Sequence, residues 1–443
     1  MGDSEAILLR PRPLAKFAGS FLLLPLLPKR MPMKPLPAEV WTQILEYVFN
    51  EYDTKVVDGT NEERDVMRER KLGMLLVCKS LKDVALPLFY NYVRITRPFS
   101  LQEFTELLQA SDQRWDSIRR IPYSAPGRWV HTLDLSSLST TLWSDSLLID
   151  SLLTKLFPLV PFLTDLTLNA TVTLSRRAIE SLAFRDGQQN LRRLKGIKLA
   201  SAPLDEYQPF LEVLRYSRSL EELSIVGSGI EAIQMASSNP SIPLEDASTL
   251  VQPLDLPLLR KLSIISMHTS QTMFALLHSS LPSLAYLTIT PYDDISIPTS
   301  LVPQFITTHG PKLISLHLYA HKSWPTMLFP SPTTLLHTCP SLHHLSLENP
   351  LPTLSICSIY PKHPLRILSI PRPNANYLSV LETLLPKLPC LGMVRARDVR
   401  WLRKGVSGRA LEAGIQGEMR EWRRRLGRRG IQVVDADWNA GVD

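Results

Sequence analysis

The segment Leu313-Ile-Ser-Leu316-His-Leu318 returns 29 residues further on as Leu342-His-His-Leu345-Ser-Leu347. Apolar residues hold the first, fourth and sixth places of each copy. Toward the N-terminus the pattern recurs as Leu284-Ala-Tyr-Leu287-Thr-Ile289, Leu259-Arg-Lys-Leu262-Ser-Ile264, Leu220-Glu-Glu-Leu223-Ser-Ile225 and Leu194-Lys-Gly-Ile197-Lys-Leu199. Leu163-Thr-Asp-Leu166-Thr-Leu168 and Val130-His-Thr-Leu133-Asp-Leu135 complete that side. Toward the C-terminus come Leu365-Arg-Ile-Leu368-Ser-Ile370 and a degraded Leu391-Gly-Met-Val394-Arg-Ala396. The ten central apolar residues lie 23 to 39 residues apart. Alternating apolar and polar places have the period of a strand, and a leucine core at this spacing marks stacked units.

One such unit cannot bury its leucines alone, so its stability comes from its neighbours. The pattern predicts an α/β fold over 130–400: an irregular leucine-rich-repeat solenoid with parallel strands on a concave side and helices on a convex side. Helical stretches fall between the strands at 147–157, 176–184, 210–216, 272–278 and 377–385. Proline outnumbers glycine, 36 to 18, so the breaks are stiff. Regular repeats carry Asn or Cys three places after the last leucine, where it bonds turn backbone. Here Leu138, Thr171, Ala202, Ser228, Met267, Tyr292, His321, Pro350 and Pro373 stand there, which predicts uneven curvature. The longest interval holds 237–253, rich in Ser and Pro, read as a surface loop. Over 401–443, Ala410, Leu411, Ile415, Met419, Trp422 and Leu426 share one helical face, Gly430 caps it, and 431–434 add a last strand. This basic helix and strand would close the solenoid.

On each strand the residue between the two inward apolar places points to the opposite face. Asp134, Thr167, Lys198, Ser224, Ser263, Thr288, His317, Ser346 and Ser369 are therefore the candidate target-binding row, flanked by Tyr286, Tyr319, His344 and Glu348. His343 and His344 are adjacent on a strand and point to opposite faces, so they do not share a metal ion. No phosphate loop, dinucleotide fingerprint, nucleophile elbow or kinase set occurs. The expectation is a non-enzyme with no cofactor.

The chain has 443 residues, 44% of them apolar, which excludes wholesale disorder. Leucine alone accounts for 77, in keeping with the repeats. The net charge of +7 is concentrated at one end, because 395–429 holds twelve Lys/Arg against four Asp/Glu. The run Arg423–Arg429 reads as the polar face of the closing helix rather than a nucleic-acid patch, since only Trp422 is available to stack a base. Cys78, Cys339, Cys357 and Cys390 are scattered and fit a reducing compartment, cytoplasmic or nuclear. The apolar run 17–27 is too short to span a bilayer and lacks a signal-cleavage site. Residues 1–35 read as a disordered tail or one that precedes the true start.

Residues 36–96 are different in kind. Leu36-Pro37-Ala-Glu39-Val40-Trp41-Thr-Gln-Ile44-Leu45 opens an amphipathic helix with Pro37 at its start. Val40, Ile44, Leu45 and Val48 fall on one face. Residues 61–71 carry eight charges and read as a solvated face or loop. An apolar stretch follows with Val77-Cys78-Lys79-Ser80-Leu81-Lys-Asp-Val84-Ala85, and Pro87 is expected to end or kink its helix. A further helix is expected at 101–110, within a helical linker over 97–129.

The two halves of 36–96 resemble an F-box of the variety found in large fungal families, which often precedes irregular leucine repeats. The carriers are Leu36-Pro37-x-Glu39-Val40 and Val77-Cys78-Lys79-Ser80-Leu81, with Leu81 standing where the family has Trp. The resemblance implies a substrate-receptor subunit of a cullin-type ubiquitin ligase. A Skp-type adaptor would dock on Leu36, Pro37, Val40, Ile44, Val77, Cys78 and Leu81, and the repeats would hold a target protein for ubiquitin-dependent degradation. A second reading stays open: a non-catalytic repeat scaffold whose degenerate F-box recruits no ligase.

Overall fold

The computed structural model describes residues 7–9, 21–23, 36–57, 61–113, 126–138, 143–199, 208–227, 252–267, 270–291, 300–320, 328–356, 362–401 and 414–441. The chain divides into two compact units, Met1–Phe89 and Tyr90–Asp443.

In the first unit, strands β1 (Ile7–Leu9) and β2 (Phe21–Leu23) pair antiparallel within the segment expected to be an unstructured tail. Helices α1 (Ala38–Val57), α2 (Asn61–Leu75) and α3 (Lys79–Asn91) follow. The charged stretch 61–71 is therefore helical rather than a loop. Leu45, Phe49, Leu75 and Ala85 form a small core, with Val48, Met74, Leu81, Val84, Leu86, Leu88 and Phe89 packed against it. Pro87 lies inside α3 and does not end it. The apolar face of α3 continues across the proline through Leu88 and Phe89, and that packing outweighs one lost helical hydrogen bond.

The second unit carries one parallel sheet of twelve strands in sequence order, from β3 to β14. The ten repeat segments supply β4 (Thr132–Leu135), β5 (Asp165–Leu168), β6 (Arg193–Lys198), β7 (Glu222–Val226), β8 (Lys261–Ile265), β9 (Tyr286–Ile289), β10 (Ser315–Leu318), β11 (His344–Ser346), β12 (Ile367–Ile370) and β13 (Met393–Ala396). Two strands outside the pattern flank them, β3 (Tyr92–Arg94) and β14 (Gln432–Val434). The expected linker at 97–129 contributes α4 (Pro98–Gln113) to this unit, and Leu101 and Leu108 of α4 lie in its core.

Helices cover one face of the sheet: α5 (Trp143–Leu156), α6 (Arg176–Ala183), α7 (Pro209–Tyr216), α8 (Gln271–Leu277), α9 (Val302–His309), α10 (Leu335–Thr338) and α11 (Ala375–Leu384). Several start on side-chain caps. Ser175, Ser270 and Asn374 each accept a hydrogen bond from the backbone N–H three residues on. The helices and the inward leucines, such as Leu133, Leu166, Leu223, Leu316 and Leu345, make one continuous core. Helix α12 (Ile415–Gly427) closes it with buried Met419, Trp422 and Leu426. Ile415 is exposed, Ala410 and Leu411 lie outside the described residues, and Gly430 ends the helix at φ +75°. The loop reading at 237–253 falls almost entirely outside the described residues.

Two features differ from the regular repeat. First, Leu194 rather than Ile197 aligns with Leu166 and Leu223, and the register shifts between Leu194 and Ile197. The third copy is thus Leu191-Arg-Arg-Leu194 followed by a bulge at Gly196, whose φ is +72°. Second, where the asparagine ladder is missing, long side chains bond the turn backbone instead. Arg185 donates to the carbonyls of Val160 and Leu163, both at 3.0 Å. Arg397 donates to Leu318 at 3.3 Å and to Leu347 at 2.8 Å. Asn169 resembles a ladder residue, donating to Ser136 O at 2.8 Å.

Candidate functional site

The sheet face opposite the helices is open, and its register aligns one row across the strands. Asp134 pairs with Thr167, and Thr167 with Lys195. Beyond the bulge the row continues through Ser224, Ser263, Thr288, His317, Ser346 and Ser369 to Arg395. Lys198, expected in the row, does not stand in it: the extra residue of the bulge moves it to the end of β6 opposite Val226, and Lys195 takes its place. Ser346 and Ser369 keep their places but are 1% and 0% exposed, covered by longer neighbours.

The two ends of this face differ in chemistry. At the N-terminal end the charges neutralise one another. The Tyr92 hydroxyl donates to Asp134 at 3.1 Å, and Arg94 lies 3.6 Å from the same carboxylate. Arg193 forks onto Asp165, which also accepts from the hydroxyls of Thr132 and Thr164. Burial alone would raise the Asp165 carboxyl, but Arg193 and the two threonines hold it below the usual carboxylate range. Lys195 pairs with Glu222 at 2.9 Å.

At the C-terminal end a chain of hydrogen bonds crosses three strands. His317 Nε2 lies 3.1 Å from His344 Nδ1, and His344 Nε2 lies 2.9 Å from Ser369 Oγ. The two imidazoles meet edge to face with centroids 4.5 Å apart. Trp438 approaches from beyond β14, with its ring over the Arg395 guanidinium at 4.2 Å and 6.4 Å from the His344 ring. Asp435 holds that segment in place by accepting from the backbone N–H groups of Trp401, Asp437 and Asn439. Arg397 also pairs with Glu348 at 2.9 Å.

The order Ser369, His344, His317 has the connectivity of a nucleophile, a base and an orienting group. Its electrostatics do not suit that work. Ser369 has no exposed surface. Burial first, then His317, Arg395 and Arg397, push His344 down to about 4, far below a base poised near neutrality. Burial and the same two arginines also lower His317. The chain is a neutral polar network that ties β10, β11 and β12 together.

A pH dependence follows. In the unfolded chain His344 takes up its proton near 6.5, but in the folded protein only near 4. Below 6.5 the unfolded state binds the extra proton, so stability falls as pH drops through this window. Thermal midpoints should decline from pH 6.5 to about 4, and the His344→Gln protein should lose part of that slope. An identical slope in both proteins would remove His344 as its source.

In the first unit, Leu36, Pro37, Val40, Ile44, Val77 and Cys78 are all exposed; Ile44 is 41% exposed and Val77 70%. The expected single face therefore splits. Leu45 is buried and Val48 packs on the core, while Val40 and Ile44 look outward, beside the more exposed Tyr47. Leu81 differs from the others by packing against the small core. Cys78 sits just before α3, its Sγ accepting from Leu81 N at 3.4 Å.

The basic run of α12 is partly neutralised: Arg424 pairs with Glu421, and Arg425 forks onto Glu382. No group of three or more metal-ligating side chains occurs among the described residues. No helix among them is long and apolar enough to cross a membrane.

Neither His344 as the partner of His317 nor Arg395, Arg397 and Trp438 was foreseen in these roles. A signal for Arg395 existed, because it fills the row position in the degraded tenth copy. No family model matches the chain, and no curated protein matches it at a significant level. Among solved structures it is similar to one described as "Crystal structure of Rad7 and Elc1 complex in yeast", at 13% identity. The match covers 84% of this chain and 91% of that one, with a TM-score of 0.31. A likeness that distant carries neither fold nor function across.

Proposed function

We propose that the chain is a substrate-receptor subunit of a cullin-type ubiquitin ligase, with an F-box-like first unit and a target-binding repeat unit. The observation that carries the reading is the exposure of Leu36, Pro37, Val40, Ile44, Val77 and Cys78, the F-box-like motif positions, around a core too small to cover them. Exposed apolar residues on a short helical module suit a partner groove. A Skp-type adaptor is the partner the motif resemblance implies. The repeat unit offers a long sheet face. The receptor itself does no chemistry; it raises the concentration of a target near an enzyme carried by another subunit.

The packing of Leu81 favours a second reading. It stands where the family has Trp and is half-buried against the small core. A degenerate F-box of that kind would leave a repeat scaffold that recruits no ligase. Captured on a Skp-type adaptor column, the wild-type chain should be retained and Ile44→Asp lost, with binding at least ~30-fold weaker, as for a hot-spot residue. Leu45→Ala, in the core, should lower stability instead, by about 2–5 kcal/mol. If Ile44→Asp binds as well as wild type, the docking face lies elsewhere. If neither protein is retained, the scaffold reading stands.

A further inference from the structure

We infer that the outer face of α12 binds the phosphate backbone of a nucleic-acid duplex, independently of base sequence. The inference does not depend on the adaptor reading, and its test uses no adaptor. Helix geometry places the stripe. Met419, Trp422 and Leu426 are buried and fix the inward face of α12. At about 100° per residue, Arg420, Arg424 and Arg428 fall on the opposite face. All three are exposed, and Arg428, just past the helix, keeps helical φ and ψ. Successive members stand four residues apart, a rise of about 6 Å, so the stripe is about 12 Å long.

Folding alone does not account for these arginines. Cations in the last turn suit the helix dipole, which covers Arg424 and Arg425. Arg420 lies earlier. Arg420 with Arg424, Arg424 with Arg428, and Arg425 with Arg429 are like charges four residues apart, which weaken a helix. Arg420, Arg428 and Arg429 make no ion pair among the described residues. The pair of Arg424 with Glu421 is exposed, so it holds the guanidinium only weakly. Counting the neighbouring acids leaves the sign unchanged: residues 375–401 and 414–441 hold ten Lys/Arg against six Asp/Glu.

The surface around the stripe sets the ligand class. Every cation over 414–430 is arginine, whose planar fork bonds phosphate bidentately. A carboxylate accepts the same fork, but a protein interface needs aromatic or apolar anchors at its centre. From 416 to 430 every exposed residue is arginine or glycine. Trp422 is 1% exposed, so it offers no ring to a base, which points away from single strands and from sequence readout. Backbone contact needs no such ring, so the helix closes the core with one face and meets phosphates with the other. With its apolar residues committed to the core, α12 has no face to enter a bilayer. A duplex carries one negative charge per ~1.7 Å of its axis, so a stripe of about 12 Å meets several phosphates in any register.

The test is fluorescence anisotropy of the full chain with labelled random-sequence DNA and RNA duplexes, the matching single strands and a poly-glutamate peptide. Flotation with phosphatidylserine-containing vesicles accompanies it. Both duplexes should bind, and the tighter of the two identifies the source of the phosphates. For three contacts on DNA, log K should fall with log salt at a slope of about −3, roughly a fortyfold loss between about 50 and 200 mM salt. The triple variant Arg420→Gln, Arg424→Gln, Arg428→Gln should weaken duplex binding at least ~tenfold at low salt and flatten that slope. Arg192→Gln, Arg218→Gln, Arg260→Gln removes the same charge from exposed positions elsewhere and should bind like wild type. Equal losses in the two triple variants overturn the site. Poly-glutamate or vesicles held as tightly as the duplexes overturn the ligand class, and a single strand held more tightly overturns the duplex assignment. Should the α12 variant fail to fold, the wild-type salt dependence decides, and a flat response refutes the inference.

Discussion

Leu345→Asp should leave the repeat unit without a cooperative fold. Leu345 is fully buried on β11, between Leu316 of β10 and Leu368 of β12. Removing its side chain alone costs about 2–5 kcal/mol. The aspartate adds an uncompensated charge in a leucine stack, worth several kcal/mol more, or a forced protonation. Together these reach the ~5–15 kcal/mol by which domains are stable. Because each repeat rests on its neighbours, the damage spreads beyond one strand. Circular dichroism with limited proteolysis would show it as loss of the melting transition and of the protected fragment over 90–443. Leu345→Ala should keep the transition at a lower midpoint. A Leu345→Asp protein that melts like wild type would mean that the stacked leucine core is wrongly assigned.

Gly196→Val should be nearly as damaging, for a different reason. Gly196 has φ +72°, a region that β-branched residues avoid, and an added Cβ would sit 2.1 Å from the carbonyl oxygen of Leu168. Backbone strain of this kind costs about 1–3 kcal/mol, and the clash with a neighbouring strand adds to it. Relief by straightening the bulge would slide Ile197 and Lys198 one place and turn Ile197 out of the core. Urea unfolding should show a midpoint well below wild type. Gly392→Val, at a glycine with open space around it and no positive φ, should change little. Equal midpoints for the two variants would argue against the bulge.

Those two positions also show what could be read from the sequence alone. All ten leucine segments form strands, since alternating apolar places have one way to face a core. Five of the seven covering helices were named from the sequence; α9 and the short α10 were not. Around Gly196 two frames compete, because Leu191, Leu194, Ile197 and Leu199 are all apolar. Spacing alone does not choose between them; the pairing of Leu194 with both neighbours does. Strand β3 has no leucine pattern and depends on β4 for its place. Helix α2 is too charged to announce a buried face, and the packing of α3 overrides Pro87.

The row of candidate target-binding residues was legible as a row, apart from Lys198. Its chemistry was not. His317 and His344 come from different repeats, 27 residues apart, and meet only once strand register is known. Trp438 belongs to a segment after the last strand whose return to the sheet depends on Asp435 and its three backbone bonds. The burial of Ser346 and Ser369 follows from these long neighbours and has no signal in the residues themselves.

The central claim is that the first unit joins this chain to a ligase adaptor. Co-expression with a Skp-type adaptor, followed by size-exclusion chromatography with light scattering, tests it most directly. The receptor account requires one adaptor per chain in a single peak, at the summed mass of the two. A folded chain that elutes alone, with the adaptor in a separate peak, would contradict it and leave a repeat scaffold without a ligase.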